Sequence, residues 1–277
     1  MDVLKTIKMF AGGAFIRSES GATVPYIVEG EELARVCVAS KKDFRNAVTS
    51  AKTAQSVWAA KSSYNRSQIL YRMAEMTQGR ETELMNLMMA SELVEEGNVG
   101  EEVQKAVDTF VYYAGWCDKY QQVMGGLNPV AGPYHNFTAP EAVGVVSLVT
   151  SEKFNLSQIV DNICSIICGG NSVVAVLSPE SSIFVSILGE IFHTSDVPSG
   201  VVNLLSGKIE DLATVMAEHM EVNSISFQNE NETIYFDMRS RSIDNMKRII
   251  GLNKNSRSLE LITAFVEQKT VWHPIGV

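Results

Sequence analysis

The chain has 277 residues, of which 45% are hydrophobic and 20% are charged, with a formal net charge of -9. This composition is typical of globular proteins, and the length suffices for one large domain or two small ones. The negative charge argues against non-specific nucleic-acid binding, which needs a basic surface. No apolar run approaches the roughly 20 residues that cross a bilayer, and the N-terminus lacks the apolar core of a secretory signal. We therefore expect a cytoplasmic protein without a membrane or nucleic-acid partner.

The N-terminal part of the chain predicts short strands followed by helices. Turns that contain glycine separate apolar pieces in residues 1–38, which is a pattern of short strands. Ser40 and Asp43 then form a capping-box-like start, and apolar residues at helical spacing predict a helix that ends near Trp58. The same spacing predicts further helices at 63–77, 81–93 and 99–121.

Two segments predict extended chain instead. Residues 125–142 hold three of the seven prolines, and proline cannot donate to a strand ladder. They therefore predict an extended arm or an edge strand. The C-terminal residues 259–277 alternate between apolar and polar side chains, which also predicts extended chain.

Residues 143–207 alternate between buried strands and amphipathic helices. Three runs dominated by Val and Leu carry no charged residue, as in strands that are covered on both faces. Between them, apolar residues at helical spacing predict two helices, the second with Ser181 and Ser182 as its cap. The pattern predicts an α/β domain with a Rossmann-like, doubly wound parallel sheet. The three predicted strands are Val143–Val149, Val173–Leu177 and Val201–Leu205.

Beyond residue 207 the pattern continues for one more unit. A helix is predicted at Ile209–Met220 and a buried strand at Ser224–Phe227. Residues 228–258 are polar, and we predict one modest helix there, around Ile243–Ile250.

The four cysteines are too few and too scattered for a disulfide scaffold. Cys164 and Cys168 share one side of a predicted helix, but no His, Asp or Glu stands near them in a ligand pattern. We interpret them as buried small apolar residues and expect no metal site.

Several segments resemble the aldehyde dehydrogenase superfamily. MFAGGAFIRSESGATVP is similar to that family's N-terminal hairpin, and VAVLSPES, SDVPSGVVNLLSG and HMEVNSISF are similar to its cofactor-binding domain. The resemblance is continuous from about residue 8 to 227. AFVEQKTVW resembles the family's C-terminal strand, which pairs with a neighbouring subunit.

The resemblance implies a domain organisation. Residues 1–227 would form the N-terminal and cofactor-binding domain, with an oligomerisation arm at 125–142. Residues 228–258 would be a polar connecting remnant, and 259–277 the C-terminal oligomerisation strand. The catalytic domain that should lie before this strand is missing.

The resemblance implies no catalytic residue in this chain. The family's nucleophile is a cysteine in the catalytic domain, and no cysteine follows Cys168. The general base should precede a glycine pair, which Glu260 does not. In the oxyanion loop, Ser151-Glu152-Lys153-Phe154-Asn155 stands where the family has Pro-Trp-Asn-Phe-Pro, so that only Phe154 fits and Lys153 replaces the amide.

The implied cofactor site is degenerate. The family's adenosine-ribose lysine is expected near Val176, where no lysine stands, and its acidic partner would be Glu180. The family's Phe-Thr-Gly-Ser is replaced after Phe227 by Gln228–Glu232, whose two carboxylates would repel phosphates. The residues left for cofactor binding are Lys153, Phe154, Ser178, Glu180 and Gly207, although Gly207 is most simply a turn residue. We expect no bound cofactor. If the vestigial site still binds one, we expect NAD or NADP.

The leading hypothesis is a catalytically inactive aldehyde dehydrogenase homologue that acts as a structural or regulatory subunit. Its partner would be a second copy or a full-length aldehyde dehydrogenase. The alternative is an NAD(P)-dependent aldehyde oxidoreductase, or a non-catalytic subunit of an active hetero-oligomer. A third hypothesis is a nucleotide or metabolite sensor that uses the cleft near Glu152, Lys153 and Ser178.

Overall fold

The computed structural model describes residues 4–251 and 257–276. The helices are α1 (Lys41–Ala59), α2 (Ser63–Gly79), α3 (Glu81–Ala90), α4 (Val99–Trp116), α5 (Tyr120–Met124), α6 (Leu156–Cys168), α7 (Val185–Thr194), α8 (Ile209–Glu218), α9 (Glu232–Arg241) and α10 (Leu259–Thr263). The strands are β1 (Thr6–Ile7), β2 (Met9–Ala11), β3 (Ala14–Ile16), β4 (Thr23–Val28), β5 (Glu31–Cys37), β6 (Gly126–Leu127), β7 (Tyr134–Ala142), β8 (Val145–Val149), β9 (Ser172–Leu177), β10 (Val202–Ser206), β11 (Ser224–Phe227), β12 (Arg248–Ile250) and β13 (Val266–Pro274).

The largest sheet has seven strands in the order β12-β11-β8-β9-β10-β2-β3. The five strands from β12 to β10 are parallel, and the hairpin of β2 and β3 adds an antiparallel edge. The chain builds this sheet outwards from β8, first through β9 and β10 and then back through β11 and β12. This order is that of a Rossmann-like, doubly wound sheet, and it confirms the predicted fold class.

Alternate residues of the central strands enter two different cores. Val146 and Leu148 of β8 pack in a cluster with α2, α4, α6 and α7. Val145 and Val149 pack on the opposite face with α1, α8 and α9. Since successive side chains of a strand point to opposite faces, a strand covered by helices on both sides must be apolar throughout. This is the physical reason for the uncharged runs of the sequence.

Two helix starts show how local chemistry defines the elements. Ser40 and Asp43 form the predicted capping box of α1, with each side chain accepting from the other residue's backbone N–H. The predicted cap of the helix after Pro179 is wrong, because Ser181 and Ser182 lie inside a 3₁₀ turn that leads into α7. Ser178 caps this turn instead, since its Oγ accepts from the N–H of Ser181 at 3.3 Å.

The polar segment 228–258 contributes to the large sheet. The helix predicted around Ile243–Ile250 is wrong: Ile243–Asn245 is a single 3₁₀ turn, and β12 pairs in parallel with β11. The helix of this segment is α9, whose N-terminus is capped by Asn231. Part of the segment, residues 252–256, lies outside the described residues. The domain boundaries at 227 and 258 stay a prediction.

Large parts of the two segments predicted to be extended form one sheet of their own, in the order β13-β7-β6. The prediction is wrong at the start of the C-terminal segment, because Leu259–Thr263 is the helix α10. We call this sheet the arm. β13 pairs with β7 of the same chain along its whole length, from Val266 opposite Ala142 to Pro274 opposite Tyr134. Every residue of β13 after Val266 is exposed. No helix in the described ranges is long and apolar enough to cross a membrane.

Candidate functional site

The reversal of strand order between β8 and β11 creates a crevice at the carboxyl ends of these strands. In open α/β sheets, ligands bind at such a switch point, because the connecting loops diverge to opposite faces there. Here the crevice is bounded by residues 150–155 after β8 and residues 228–231 after β11. We call it the switch-point crevice.

Side chains of the two loops bridge the switch-point crevice. Ser151 donates from Oγ to Glu230 Oε1 at 2.8 Å. In the opposite direction, from the loop after β11 to the loop after β8, Asn229 donates from Nδ2 to Glu152 Oε1 at 2.7 Å. Each loop thus supplies one carboxylate that is hydrogen-bonded by the other loop, and the two contacts hold the crevice together from within.

The residues after β11 also fill the space at its end. Gln228 and Asn229 are only 1% and 3% exposed. Asn229 Oδ1 accepts from the N–H of Asn231 at 2.9 Å, and Asn231 in turn accepts from the N–H of Ile234 in the first turn of α9. The free N–H groups of a helix N-terminus are what attracts a phosphate. At α9, one of these groups is already occupied by the chain's own amide oxygen.

Three of the predicted site residues lie around the loop after β8. Ser178 Oγ donates to the carbonyl of Glu152 at 3.2 Å, and its backbone N–H donates to Thr150 Oγ1 at 2.9 Å. Phe154 stacks on Phe184, with ring centroids 4.2 Å apart. Lys153 is exposed, and its side chain forms no hydrogen bond or ion pair with the described residues. Ser178 and Phe154 therefore brace this loop against the start of α7.

The other two predicted residues, Glu180 and Gly207, lie elsewhere. They line a cavity beside β9 and β10 that the β4–β5 hairpin covers. Tyr26 of that hairpin donates from its hydroxyl to the carbonyl of Glu180 at 3.1 Å. Burial, and next the charge of Glu180, raise the pKa of Tyr26 to about 12. The five predicted residues are thus divided between two places.

Val176, where the lysine of the implied cofactor site was expected, does not face either place. It is 2% exposed and packs in the core beneath α1 and α8. The residue at the carboxyl edge of β9 is Ser178. The position of the lysine stays a prediction, and no lysine stands between Val176 and Ser178.

The four cysteines are enclosed in the core. None of the four cysteines is more than 1% exposed, and burial raises the pKa of the Cys164 and Cys168 thiols well above the usual range. A thiol of this kind does not supply a thiolate nucleophile. Residues 4–251 and 257–276 hold no cluster of three or more metal-ligating side chains.

The bridging pairs are the feature that the sequence did not reveal. The sequence predicts that Glu230 and Glu232 would repel a phosphate, and this stays a prediction. It did not reveal that Glu230 accepts from Ser151, while Glu232 is exposed in the first turn of α9. The partners in each bridge are 79 and 77 residues apart, so that no local spacing signals them.

Comparisons with known proteins identify the family to which the chain is similar. A model described as the aldehyde dehydrogenase family matches residues 15–251. Mitochondrial benzaldehyde dehydrogenase of Antirrhinum majus is 28% identical over 251 residues, which are 87% of this chain and 46% of that protein. Human retinal dehydrogenase 2 is 28% identical over 259 residues, 89% of this chain and 48% of that protein. The chain spans about half the length of the curated relatives it matches.

Solved structures show the same fold. A mutant aldehyde dehydrogenase of Bacillus cereus superposes with a TM-score of 0.81 at 23% identity, over 89% of this chain and 50% of that one. Betaine aldehyde dehydrogenase of Staphylococcus aureus, solved in complex with NAD+, gives a TM-score of 0.82 at 21% identity, over 88% and 49% of the two chains.

Proposed function

The chain belongs to the aldehyde dehydrogenase family, and we propose that it is a catalytically inactive member, which acts as a structural or regulatory subunit through oligomerisation. The observation that carries the proposal is the burial of every cysteine in the chain. Aldehyde oxidation in this family begins with a thiolate that attacks the carbonyl. Since none of the four thiols is accessible to a substrate, this chain alone has no nucleophile to offer. A cytoplasmic location remains part of the proposal.

The switch-point crevice supports the proposal from the side of the cofactor. A dinucleotide pyrophosphate needs close approach of backbone N–H groups, which glycine permits and larger side chains prevent. Asn229 and Glu230 occupy this position, and the carboxylates of Glu152 and Glu230 add negative charge beside it. These residues do not fit a pyrophosphate, and we expect no productive NAD(P) binding by the chain alone.

The arm supports the oligomeric part of the proposal. Its sheet has three strands and is solvated along most of its length, with Leu127 and Trp272 exposed at 71% and 57%. Within the described residues, no strand pairs with the outer edge of β13. An unpaired strand edge is a template for pairing with another chain. We expect either a second copy or a full-length aldehyde dehydrogenase to occupy it.

Calorimetric titration with NAD and NADP to millimolar concentrations tests the inactive-member proposal. We expect no saturable heat from the natural chain and no aldehyde-dependent reduction of either nucleotide. The double variant Asn229→Gly with Glu230→Ser restores the Gly-Ser pair of the resemblance and removes both bridges, so it should gain measurable affinity. Saturable binding by the natural chain would instead favour the alternative, an NAD(P)-dependent oxidoreductase or a partner in an active hetero-oligomer.

Native mass spectrometry tests the oligomeric part separately. We expect the purified chain to form a complex of defined stoichiometry. If its mass stays the same after co-expression with a full-length aldehyde dehydrogenase, the heteromeric version is rejected. A monomer under both conditions would reject the subunit role altogether.

A further inference from the structure

The arm brings two of the four histidines of the chain side by side. His135 of β7 and His273 of β13 are far apart in sequence, yet they are directly opposite each other in the antiparallel ladder. The side chains of such a pair lie on the same face of the sheet, with their Cβ atoms about 5.5 Å apart. The two imidazoles therefore share one face of the arm, next to the last pair of the ladder.

Contacts in the same ladder show how closely opposite side chains approach. Thr138 and Thr270 are also directly opposite each other, and their hydroxyl oxygens are 2.9 Å apart. Tyr134 and Trp272, each of which is a chain neighbour of one of the histidines, pack together with ring centroids 5.7 Å apart. Since neighbouring residues of a strand point to opposite faces, these two rings lie on the other face of the arm and leave the imidazoles uncovered.

The fold does not use the ring nitrogens of these two histidines. Both residues are exposed, and neither imidazole forms a hydrogen bond or an ion pair with any residue that the structure describes. The ring of His135 packs beside that of Phe137, with centroids 5.5 Å apart. By contrast, Nδ1 of His219 accepts from the N–H of Glu221. The pair in the arm thus offers two imidazoles whose nitrogens are available to a ligand.

We propose that His135 and His273 together bind a divalent transition-metal ion such as Zn²⁺, with one ring nitrogen of each imidazole as a ligand and water in the other positions. Neutral imidazole suits Zn²⁺, Cu²⁺ and Ni²⁺, whereas Mg²⁺ and Ca²⁺ prefer oxygen ligands. The distance from zinc to an imidazole nitrogen is about 2 Å, so that two rings in an opposite pair reach the same ion.

The ligand set defines the kind of site. A structural zinc site is closed by four protein ligands, whereas two imidazoles leave positions open to water. The site therefore exchanges its ion with the solution, and the fold does not depend on it. It is also independent of the proposed function, because it uses neither the switch-point crevice nor the free edge of β13.

Titration calorimetry of the full chain, purified without a histidine tag, tests the metal preference. We expect Zn²⁺ to bind saturably with one ion per chain, and Mg²⁺ to bind at least tenfold more weakly. Equal affinity for the two ions would overturn the proposal, since oxygen ligands rather than imidazoles would then hold the metal.

Three variants locate the site. His135→Gln and His273→Gln should each weaken Zn²⁺ binding by at least tenfold, because one imidazole alone cannot chelate the ion, and neither should change the unfolding midpoint of the metal-free chain. His193→Gln removes an exposed histidine of α7 and should leave the affinity unchanged. If either arm variant binds Zn²⁺ as tightly as the natural chain, or if His193→Gln weakens binding as much as they do, the assignment to this pair is wrong.

Discussion

Asp161 is a single residue whose charge is costly in this fold. It is 4% exposed, and its Oδ1 accepts from the Tyr113 hydroxyl at 3.0 Å and from the backbone N–H of Arg257 at 2.8 Å. Burial is the largest influence and raises its pKa above the ordinary 3.8, although the two hydrogen bonds act in the opposite direction. The folded state therefore holds the proton more tightly than the unfolded state does.

The sign of this shift predicts that Asp161→Asn stabilises the protein at neutral pH. Because the folded state binds the proton more tightly, protonation of Asp161 stabilises the fold. This stabilisation is complete below the ordinary pKa of an aspartate and is lost as the pH rises through the pKa of Asp161 in the folded state. Asparagine keeps an oxygen for both donors and removes the buried charge. In urea unfolding, we expect the variant to exceed the natural chain at pH 7 and to match it near pH 3.

Asp161→Ala is the control for this prediction. It leaves the Tyr113 hydroxyl and the Arg257 N–H without an acceptor, so it should be about 2 kcal/mol less stable than the asparagine variant at both pH values. If the asparagine variant is less stable than the natural chain at pH 7, then the ionised carboxylate stabilises the fold and the direction of the pKa shift is wrong.

Glu92 has a backbone conformation that favours glycine. It follows the C-cap residue Ser91 of α3 and has a φ of 54°, a left-handed conformation that costs a residue with a side chain roughly 1 kcal/mol. We expect Glu92→Gly to raise the free energy of unfolding by about 1 kcal/mol.

Urea unfolding measures this effect. Ser91→Gly is the matched control, because Ser91 has a right-handed conformation and donates from Oγ to the carbonyl of Leu87 at 2.7 Å. It should lower stability, since glycine loses that bond and gains nothing from its conformational freedom. A Glu92→Gly variant that is less stable than the natural chain would contradict the prediction.

At the scale of elements, the C-terminus of α8 depends on a buried amine. Lys247 is 9% exposed, and its Nζ donates to the carbonyls of Met216 at 3.3 Å and His219 at 2.8 Å. These carbonyls lie where a helix leaves its last acceptors without partners. Desolvation lowers the pKa of Lys247 to about 8 from the ordinary 10.5. One side chain before β12 thus ties that strand to α8.

This lowered pKa predicts a stability that increases with pH. Between about pH 8 and 10.5 the unfolded chain binds the proton and the folded chain does not, so the free energy of unfolding rises with pH by up to about 3 kcal/mol. Guanidinium unfolding of the natural chain and of Lys247→Met at pH 7 and pH 10 isolates this contribution. The advantage of the natural chain over the variant should grow at pH 10.

Lys5→Met is the control, because Lys5 is exposed. Its difference from the natural chain should be the same at both pH values. If the Lys247→Met difference is equally constant, the amine is not desolvated in the folded state.

The elements with strong periodicity could be predicted from the sequence, and the weakly patterned ones could not. α1 has both a capping box and a continuous buried face. The absence of charged residues in the central strands predicts that both faces of these strands are buried. α9 has only one buried residue, Met238, so its helical form depends on the Asn231 cap and on contacts with α8. The apolar residues at 243–250 have a spacing that is typical of a helix, but they form a 3₁₀ turn and the strand β12.

The candidate site was predictable only in part, for a related reason. A resemblance identifies which positions face a site, but not the contacts that replacement residues make there. Lys153 and Glu152 are neighbours in sequence, yet only Glu152 reaches across to Asn229. Such a contact depends on the relative position of two loops, which the packing of the whole sheet determines.

At the scale of the whole molecule, the arm is joined closely to the large sheet. Arg248 of β12 donates to the carbonyls of Ala264 and Val266, at 3.0 and 3.2 Å. Asn171, before β9, donates to the carbonyl of Phe265 at 2.9 Å. The two sheets are therefore held in a fixed relation where the arm begins, while the far end of the arm extends into solvent.

This geometry predicts that the outer part of β13 controls assembly without affecting the fold. Val271 and Trp272 are 42% and 57% exposed, and successive residues of a strand point to opposite faces. Lysine on an edge strand opposes pairing with another chain, because its charge must be desolvated on contact.

We expect Val271→Lys and Trp272→Lys to weaken self-association by at least tenfold in light scattering after size-exclusion chromatography. Val57→Lys, at an equally exposed position on α1, should leave the mass unchanged. Val271→Lys should keep the unfolding midpoint that the natural chain shows when diluted to monomer, because Val271 is solvated in the single chain. Trp272→Lys also removes the contact of the Trp272 ring with Tyr134, so Val271→Lys is the variant that tests the fold. An unchanged mass for both arm variants would place the interface elsewhere on the molecule, and a lowered midpoint would mean that the arm stabilises the fold itself.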